Sequence, residues 1–221
     1  MKPNNYHMNI FYKQINSGKA LRALAVGALL AVTGLARAQM TTGTYTINSG
    51  ASASSSNFTN WLSLTQALQN TTRNDGGPLY GGAGISGPIT INVVTDQLTS
   101  PGITTFAAIA GTSSTNTITI NGGGKILAFS GPYEVISFTG ADWVTIDNLI
   151  IRQTGTTSCI GIRFSGSSNY NTINKCTIQF SALSSGSTGG STQSAYIAFA
   201  NSNTSISTAT SATNGIGNTI S

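Results

Sequence analysis

Ionisable side chains are scarce in this sequence. It contains five acidic residues, ten basic residues, one histidine and two cysteines among 221 positions. The histidine, His7, lies near the start of the chain, and the two thiols, Cys159 and Cys176, are separated, so the usual ligand set of a zinc ion is missing. We therefore expect neither a metal site nor a cofactor.

The positive charge is confined mainly to the start of the chain. Residues 1–38 hold five of the ten basic residues and none of the acidic ones, so residues 39–221 have a net charge of zero. A nucleic-acid-binding domain needs a basic surface to neutralise phosphates. The formal net charge of +5 therefore gives no evidence for a nucleic-acid partner.

Residues 1–38 have the three parts of a signal peptide. Four basic residues come first, residues 23–35 form an uncharged apolar run, and residues 36–38 (ARA) match a small-x-small cleavage motif. The alternative is a membrane anchor, but a spanning helix needs about 20 consecutive apolar residues, which this run does not reach. We expect cleavage before Gln39, secretion of the remainder, and no membrane span after cleavage.

A short pattern of threonine, isoleucine and a polar residue recurs along the rest of the chain. Aligned on the central isoleucine, five copies are separated by 29, 26, 27 and 47 residues: Ile91, Ile120, Ile146, Ile173 and Ile220. Side chains alternate between the two faces of a strand, so the isoleucines would be buried and the threonines exposed. A period in the twenties indicates one structural unit per copy. The sequence thus predicts an all-β parallel β-helix, a solenoid with coils of 26–29 residues.

One polar residue follows each of the first four isoleucines. Asparagine and aspartate tolerate the left-handed backbone of a sharp bend, and stacked asparagines can form amide ladders. We therefore interpret this column as a structural turn ladder. The alternative is a β-sandwich whose strands resemble one another by chance. The column consists of Asn92, Asn121, Asp147 and Asn174.

Residues 39–88 predict a strand, a capping helix and a glycine-rich loop. Thr44–Ile47 alternates as a strand, and Asn57 fits a helix N-cap ahead of an apolar stripe that includes Trp61. Such a helix would cover the first coil, whose strand edges are otherwise exposed. Residues 89–221 then hold the coils, with a Ser/Gly/Thr loop at 181–194. Since no cap follows the last strand, we expect a fragment of a longer reading frame.

The leader together with the segments GPITINVV, ADWVTIDNLIIRQTG and YNTINKCTI resembles the N-terminal region of large secreted β-strand-repeat surface proteins of the Bacteroidetes type. Members of that family are similar to right-handed parallel β-helices of the pectin-lyase-like type. The resemblance implies a place on the outer cell surface, reached in many members by type IX secretion. It covers nearly all of residues 39–221.

Two functions compete at this point. The neutral chain and its repeated Thr/Asn/Ser faces favour a non-catalytic adhesin or scaffold, whose partner would be an extracellular polysaccharide or a host or cell-surface glycan. The pectin-lyase-like fold also hosts polysaccharide lyases, and glycoside hydrolases with paired carboxylates. Asp142 and Asp147 are the closest acidic pair, yet both fit turn positions. An enzyme would therefore keep its catalytic coils downstream of Ser221 or in the 181–194 loop.

Four residues are candidate glycan contacts: Trp143, Arg152, Arg163 and Tyr170. Alternation places both arginines on an outer face, and the competing interpretation is a solvated surface. A third function, ice binding, is suggested by threonines that align one per coil. The sequence alignment shows no second threonine column beside them, so this function is the least favoured. The aligned threonines are Thr90, Thr119, Thr145 and Thr172.

Overall fold

The structure is a computed structural model that describes residues 39–155, 159–180, 194–200 and 215–221. The predicted signal peptide and almost all of the predicted 181–194 loop lie outside these ranges. Helix α1 spans Trp61–Leu68. The strands are β1 (Gly43–Ile47), β2 (Asn57–Phe58), β3 (Ile89–Val93), β4 (Thr104–Ala107), β5 (Ile118–Asn121), β6 (Ile126–Phe129), β7 (Tyr133–Thr139), β8 (Val144–Asp147), β9 (Ile150–Gln153), β10 (Cys159–Ser165), β11 (Thr172–Asn174), β12 (Thr177–Phe180), β13 (Ala195–Phe199) and β14 (Thr219–Ile220).

The strands form three sheets, and all the paired strands run parallel. The largest sheet has the order β14-β11-β8-β5-β3-β1-β2, the second β13-β10-β7-β4 and the third β12-β9-β6. Strands of successive repeat copies pair one to one, so Ile120 is opposite both Ile91 and Ile146. The prediction of an all-β chain with parallel sheets and one short helix is confirmed for the described residues.

The alternation of side chains explains this register. In β3, β5 and β8 every second side chain is buried and the residues between are half-buried. Because a slip by one residue would turn every buried isoleucine to the opposite face, burial of one face fixes the register. The repeated Thr-Ile-Asn pattern therefore specifies the pairing partner of each strand as well as its burial.

The same register stacks phenylalanines in the apolar core. Phe138 lies between Phe106 and Phe164, with ring centroids 5.3 and 4.7 Å away. Phe199 continues the stack 5.0 Å beyond Phe164. Parallel pairing places equivalent residues directly beside one another on adjacent strands, which brings like rings into contact.

Helix α1 begins at a different cap from the predicted one. Its N-cap is Asn60, whose side-chain oxygen accepts a hydrogen bond from the Ser63 backbone N–H at 2.8 Å. The prediction of Asn57 was wrong, because that amide lies in β2 and donates to three loop carbonyls, a use that competes with capping. The helix buries Trp61 and lies against β2 and β4, the terminal strands of two sheets.

Candidate functional site

The predicted polar column lies along the outer face of the seven-stranded sheet. Its four residues stand in register: Asn121, Asp147 and Asn174 end β5, β8 and β11, and Asn92 is the last but one residue of β3. Asn121 Nδ2 donates to Asn92 Oδ1 at 2.9 Å, and Asn174 Nδ2 donates to Asp147 Oδ1 at 2.5 Å. In each pair the amide donates to the neighbouring strand of the sheet that comes earlier in the chain. The column is therefore held by side-chain bonds that run along the stacking direction.

The column also extends beyond the four predicted residues. Ser221 Oγ donates to Asn174 Oδ1 at 2.9 Å. At the other end Thr46 is in register with Asn92, and its hydroxyl donates to Asn57 Oδ1 at 2.6 Å. The sequence alignment missed Thr46 because tyrosine replaces the central isoleucine in that copy. We call the full set the polar column: Asn57, Thr46, Asn92, Asn121, Asp147, Asn174 and Ser221.

A left-handed residue directly follows two members of the column. Asn148 and Lys175, which follow Asp147 and Asn174, have φ angles of 51° and 50°. Asp147 and Asn174 themselves are the last residues of their strands. The expectation that the column residues adopt the bend conformation is thus corrected: none of the four has a left-handed backbone, and at Asp147 and Asn174 the next residue makes the turn.

The amide ladder is interrupted between Asn121 and Asp147, because a carboxylate has no hydrogen to donate. Asn121→Asp would lose the bond to Asn92 and place two carboxylates on neighbouring strands. We expect this substitution to lower the free energy of unfolding by about 1–3 kcal/mol at pH 7 and by less at pH 3. Urea denaturation at the two pH values measures the difference.

Asp147→Asn is the matched control, since it supplies the missing donor and would complete the ladder. We expect a change between about zero and +1 kcal/mol. Equal losses from the two substitutions would contradict the ladder as a source of stability.

The two candidate catalytic carboxylates each serve the fold. Asp142 Oδ1 accepts from the backbone and side-chain nitrogens of Asn169 at 2.5 and 3.0 Å, and Asp147 accepts from Asn174. They lie at opposite ends of β8, whose four residues alone span about 10 Å. Glycoside hydrolases hold their carboxyl groups about 5–9.5 Å apart. This arrangement favours turn roles for both residues.

Arg163 lies on the outer side of its sheet, where its guanidinium is bound by neighbouring side chains. Its guanidinium forms a salt bridge of 2.7 Å with Glu134, and the side chains are 12% and 2% exposed. The same guanidinium donates to the hydroxyls of Ser137 and Ser165 at 2.9 and 2.8 Å. The expected solvent-facing arginine is thus a largely buried ion-pair partner.

Glu134 was missed by sequence reasoning. The offset between β7 and β10 is 26 residues, which places Ser137 opposite Arg163 and Glu134 opposite Ile160, so the repeat gave no signal for this contact. The second carboxylate oxygen of Glu134, Oε2, is buried without a hydrogen bond. A buried polar atom without a partner is destabilising, so the bonds from Arg163 offset this loss.

The other glycan candidates do not converge with Arg163. Arg152 lies in the three-stranded sheet, where Nε donates to Gln179 Oε1 at 3.0 Å. The rings of Trp143 and Tyr170 stack at 4.4 Å. Trp143 therefore covers one face of the Tyr170 ring, and Tyr170 remains 43% exposed. Arg152 and Arg163 thus belong to different sheets, and Trp143 and Tyr170 lie in the turns before β8 and β11.

Cys176 is a half-buried thiol that packs against the core. Burial raises its pKa, so the thiolate needed for nucleophilic attack is disfavoured.

Within the ranges that the structure covers, no group of three or more His, Cys, Asp or Glu residues is placed to hold a metal ion. Across the same residues, no helix has the length and apolar character to cross a membrane. Comparison with protein-family models, curated proteins and solved structures returns no match.

Proposed function

We propose that residues 39–221 form a parallel β-helix, capped by α1, that is exported and acts at the cell surface as a non-catalytic adhesin or scaffold. Its proposed partner is an extracellular polysaccharide or a cell-surface glycan. The order of the strands supports the β-helix. From β5 to β14 successive strands belong in turn to the seven-, three- and four-stranded sheets, and this order repeats without exception. A chain that returns to the same sheet once per repeat traces a coil.

The hydrogen bonds of the acidic residues support the non-catalytic part of the proposal. Each of the chain's five carboxylates accepts a hydrogen bond from within the fold. Asp75 and Glu134 are buried in ion pairs, and Asp96 accepts from the backbone of Ile126 at 2.9 Å. A glycosidase needs two carboxyl groups aimed at one bond of the substrate, and these five are distributed among separate turns and strands.

Export predicts a defined new N-terminus. Expressed with residues 1–38 in a Gram-negative host, the protein should leave the cytoplasm and begin at Gln39, as measured by intact mass and N-terminal sequencing. Ala38→Arg should block cleavage and leave the precursor uncut, since the cleavage site requires a small residue. A full-length, cytoplasmic wild-type product would contradict the export proposal.

Binding is tested on immobilised glycans and insoluble polysaccharides with the purified, processed protein. Retention without release of unsaturated or reducing ends supports an adhesin. Product release would instead support the enzymatic alternative, a polysaccharide lyase or glycoside hydrolase. Failure to bind any host-surface matrix or glycan would remove the adhesin and leave only the scaffold.

A further inference from the structure

The outer face of the seven-stranded sheet carries six threonines in one unbroken column. Parallel pairing places each opposite the next: Thr44, Thr90, Thr119, Thr145, Thr172 and Thr219. All six are half-buried or exposed. None of their hydroxyls is hydrogen-bonded to another residue in the described parts of the chain. These hydroxyls therefore remain available to a partner outside the protein.

The polar column supplies the second row that the sequence alignment lacked. It lies two residues further along the same strands, so the two columns form a grid with spacings of about 4.8 Å across strands and about 6.6 Å along them. From β1 to β11 the residues between the columns are buried, and Ile91, Ile120 and Ile146 are fully buried. Bonds along the polar column and packing beneath both columns hold the grid in place.

We propose that this grid binds ice. Each threonine offers a methyl group and a hydroxyl that can both donate to and accept from water. Asp147 carries the only charge on the two columns of the six paired strands. A regular lattice of water molecules can engage such identical groups simultaneously, whereas a small soluble ligand would contact only a few of them.

The composition of the grid favours ice over a polysaccharide at this face. Sugars bind proteins largely by stacking on an open aromatic face, and neither column of the grid contains an aromatic residue. The grid also carries no cation to attract an acidic polysaccharide. The inference depends on the register of the strands and is independent of export or adhesion.

The test is thermal hysteresis and ice-crystal shaping by the purified, processed protein. We expect measurable activity that falls to the buffer level in the Thr119→Lys/Thr145→Lys variant, because two long charged side chains at the centre of the grid would keep the ice surface away. Thr105→Lys/Thr177→Lys is the matched control. Both control positions are exposed on the other two sheets, so this variant should keep the activity.

Circular dichroism melting establishes that every variant is folded. A folded wild-type protein without hysteresis or crystal shaping would overturn the proposal, as would undiminished activity in the Thr119→Lys/Thr145→Lys variant. Retention on a neutral polysaccharide that this variant loses, with no effect on ice, would assign the face to a glycan and equally overturn it.

Discussion

Arg73→Met is expected to lower the free energy of unfolding by about 3–5 kcal/mol, since it leaves Asp75 buried without its counter-charge. The two side chains are 0% and 1% exposed and are joined at 2.7 Å. The guanidinium also donates to backbone carbonyls of Ser54, Asn57 and Pro78 and lies 4.6 Å from the centre of the Phe58 ring. One residue thus joins the loop after β1, strand β2 and the glycine-rich loop after α1.

The double variant Arg73→Met/Asp75→Asn separates the ion pair from its packing. Removing both charges leaves no uncompensated carboxylate, so we expect a smaller loss than for Arg73→Met alone. Urea denaturation of the three proteins at pH 7 gives the comparison. An equal loss in both variants would show that the carbonyl contacts of Arg73, and not its charge, hold the loops together.

Acid should weaken the wild-type protein through Asp75. Burial acts to raise the pKa of this carboxyl, but hydrogen bonds from Arg73 and from the Thr59 and Gly77 backbone outweigh it and hold the pKa below its usual value. The unfolded chain takes up the same proton near pH 4. The stabilisation is therefore complete above about pH 4 and is lost as the pH falls through the lower folded pKa.

Phe138→Ala is the second substitution with a large expected effect. The side chain is fully buried between Phe106 and Phe164, so its removal opens a cavity in the middle of the ring stack. We expect a loss of about 3–5 kcal/mol. The denaturant midpoint should fall at unchanged slope, because the fold still buries the same surface overall.

Phe138→Leu is the control for this site. Leucine keeps most of the volume, so repacking should lower the free energy of unfolding by less than about 1.5 kcal/mol. Loss of the ring contacts adds to this cost. Phe199→Ala removes a partly buried ring from the end of the stack and should cost less than Phe138→Ala. A loss below about 1 kcal/mol for Phe138→Ala would mean that the core collapses into the space.

Local pattern was sufficient where the repeat is regular. The alternation in Ile118–Asn121 and Val144–Asp147 predicted strand type, burial and the equivalence of residues one period apart. The same pattern predicted the polar column, because stacked copies must place equivalent residues side by side. It did not extend to β1, where Tyr45 and Thr46 replace the usual isoleucine and asparagine.

Local pattern failed where a polar side chain had a choice of distant partners. Asn57 has the sequence context of a helix cap, yet three loop carbonyls 5 to 9 residues away engage its amide. The glycine-rich segment after α1 looked like a plain loop, but it contains the buried Arg73–Asp75 pair. Capping and turn signals concern neighbouring residues, whereas these contacts depend on how the loops fold back.

The sequence by itself determined the repeat, the inward isoleucines and the parallel pairing, because stacked copies of one unit run in the same direction and place equivalent residues side by side. A slip by one residue would expose the isoleucines. The tertiary structure decided which polar groups are bonded within the protein and which are not. It paired Arg163 with Glu134, stacked Trp143 on Tyr170, and left the hydroxyls of the six aligned threonines unbonded within the described residues. The physical reason is that a side-chain hydrogen bond requires a partner within about 3 Å, and the chain path sets that distance.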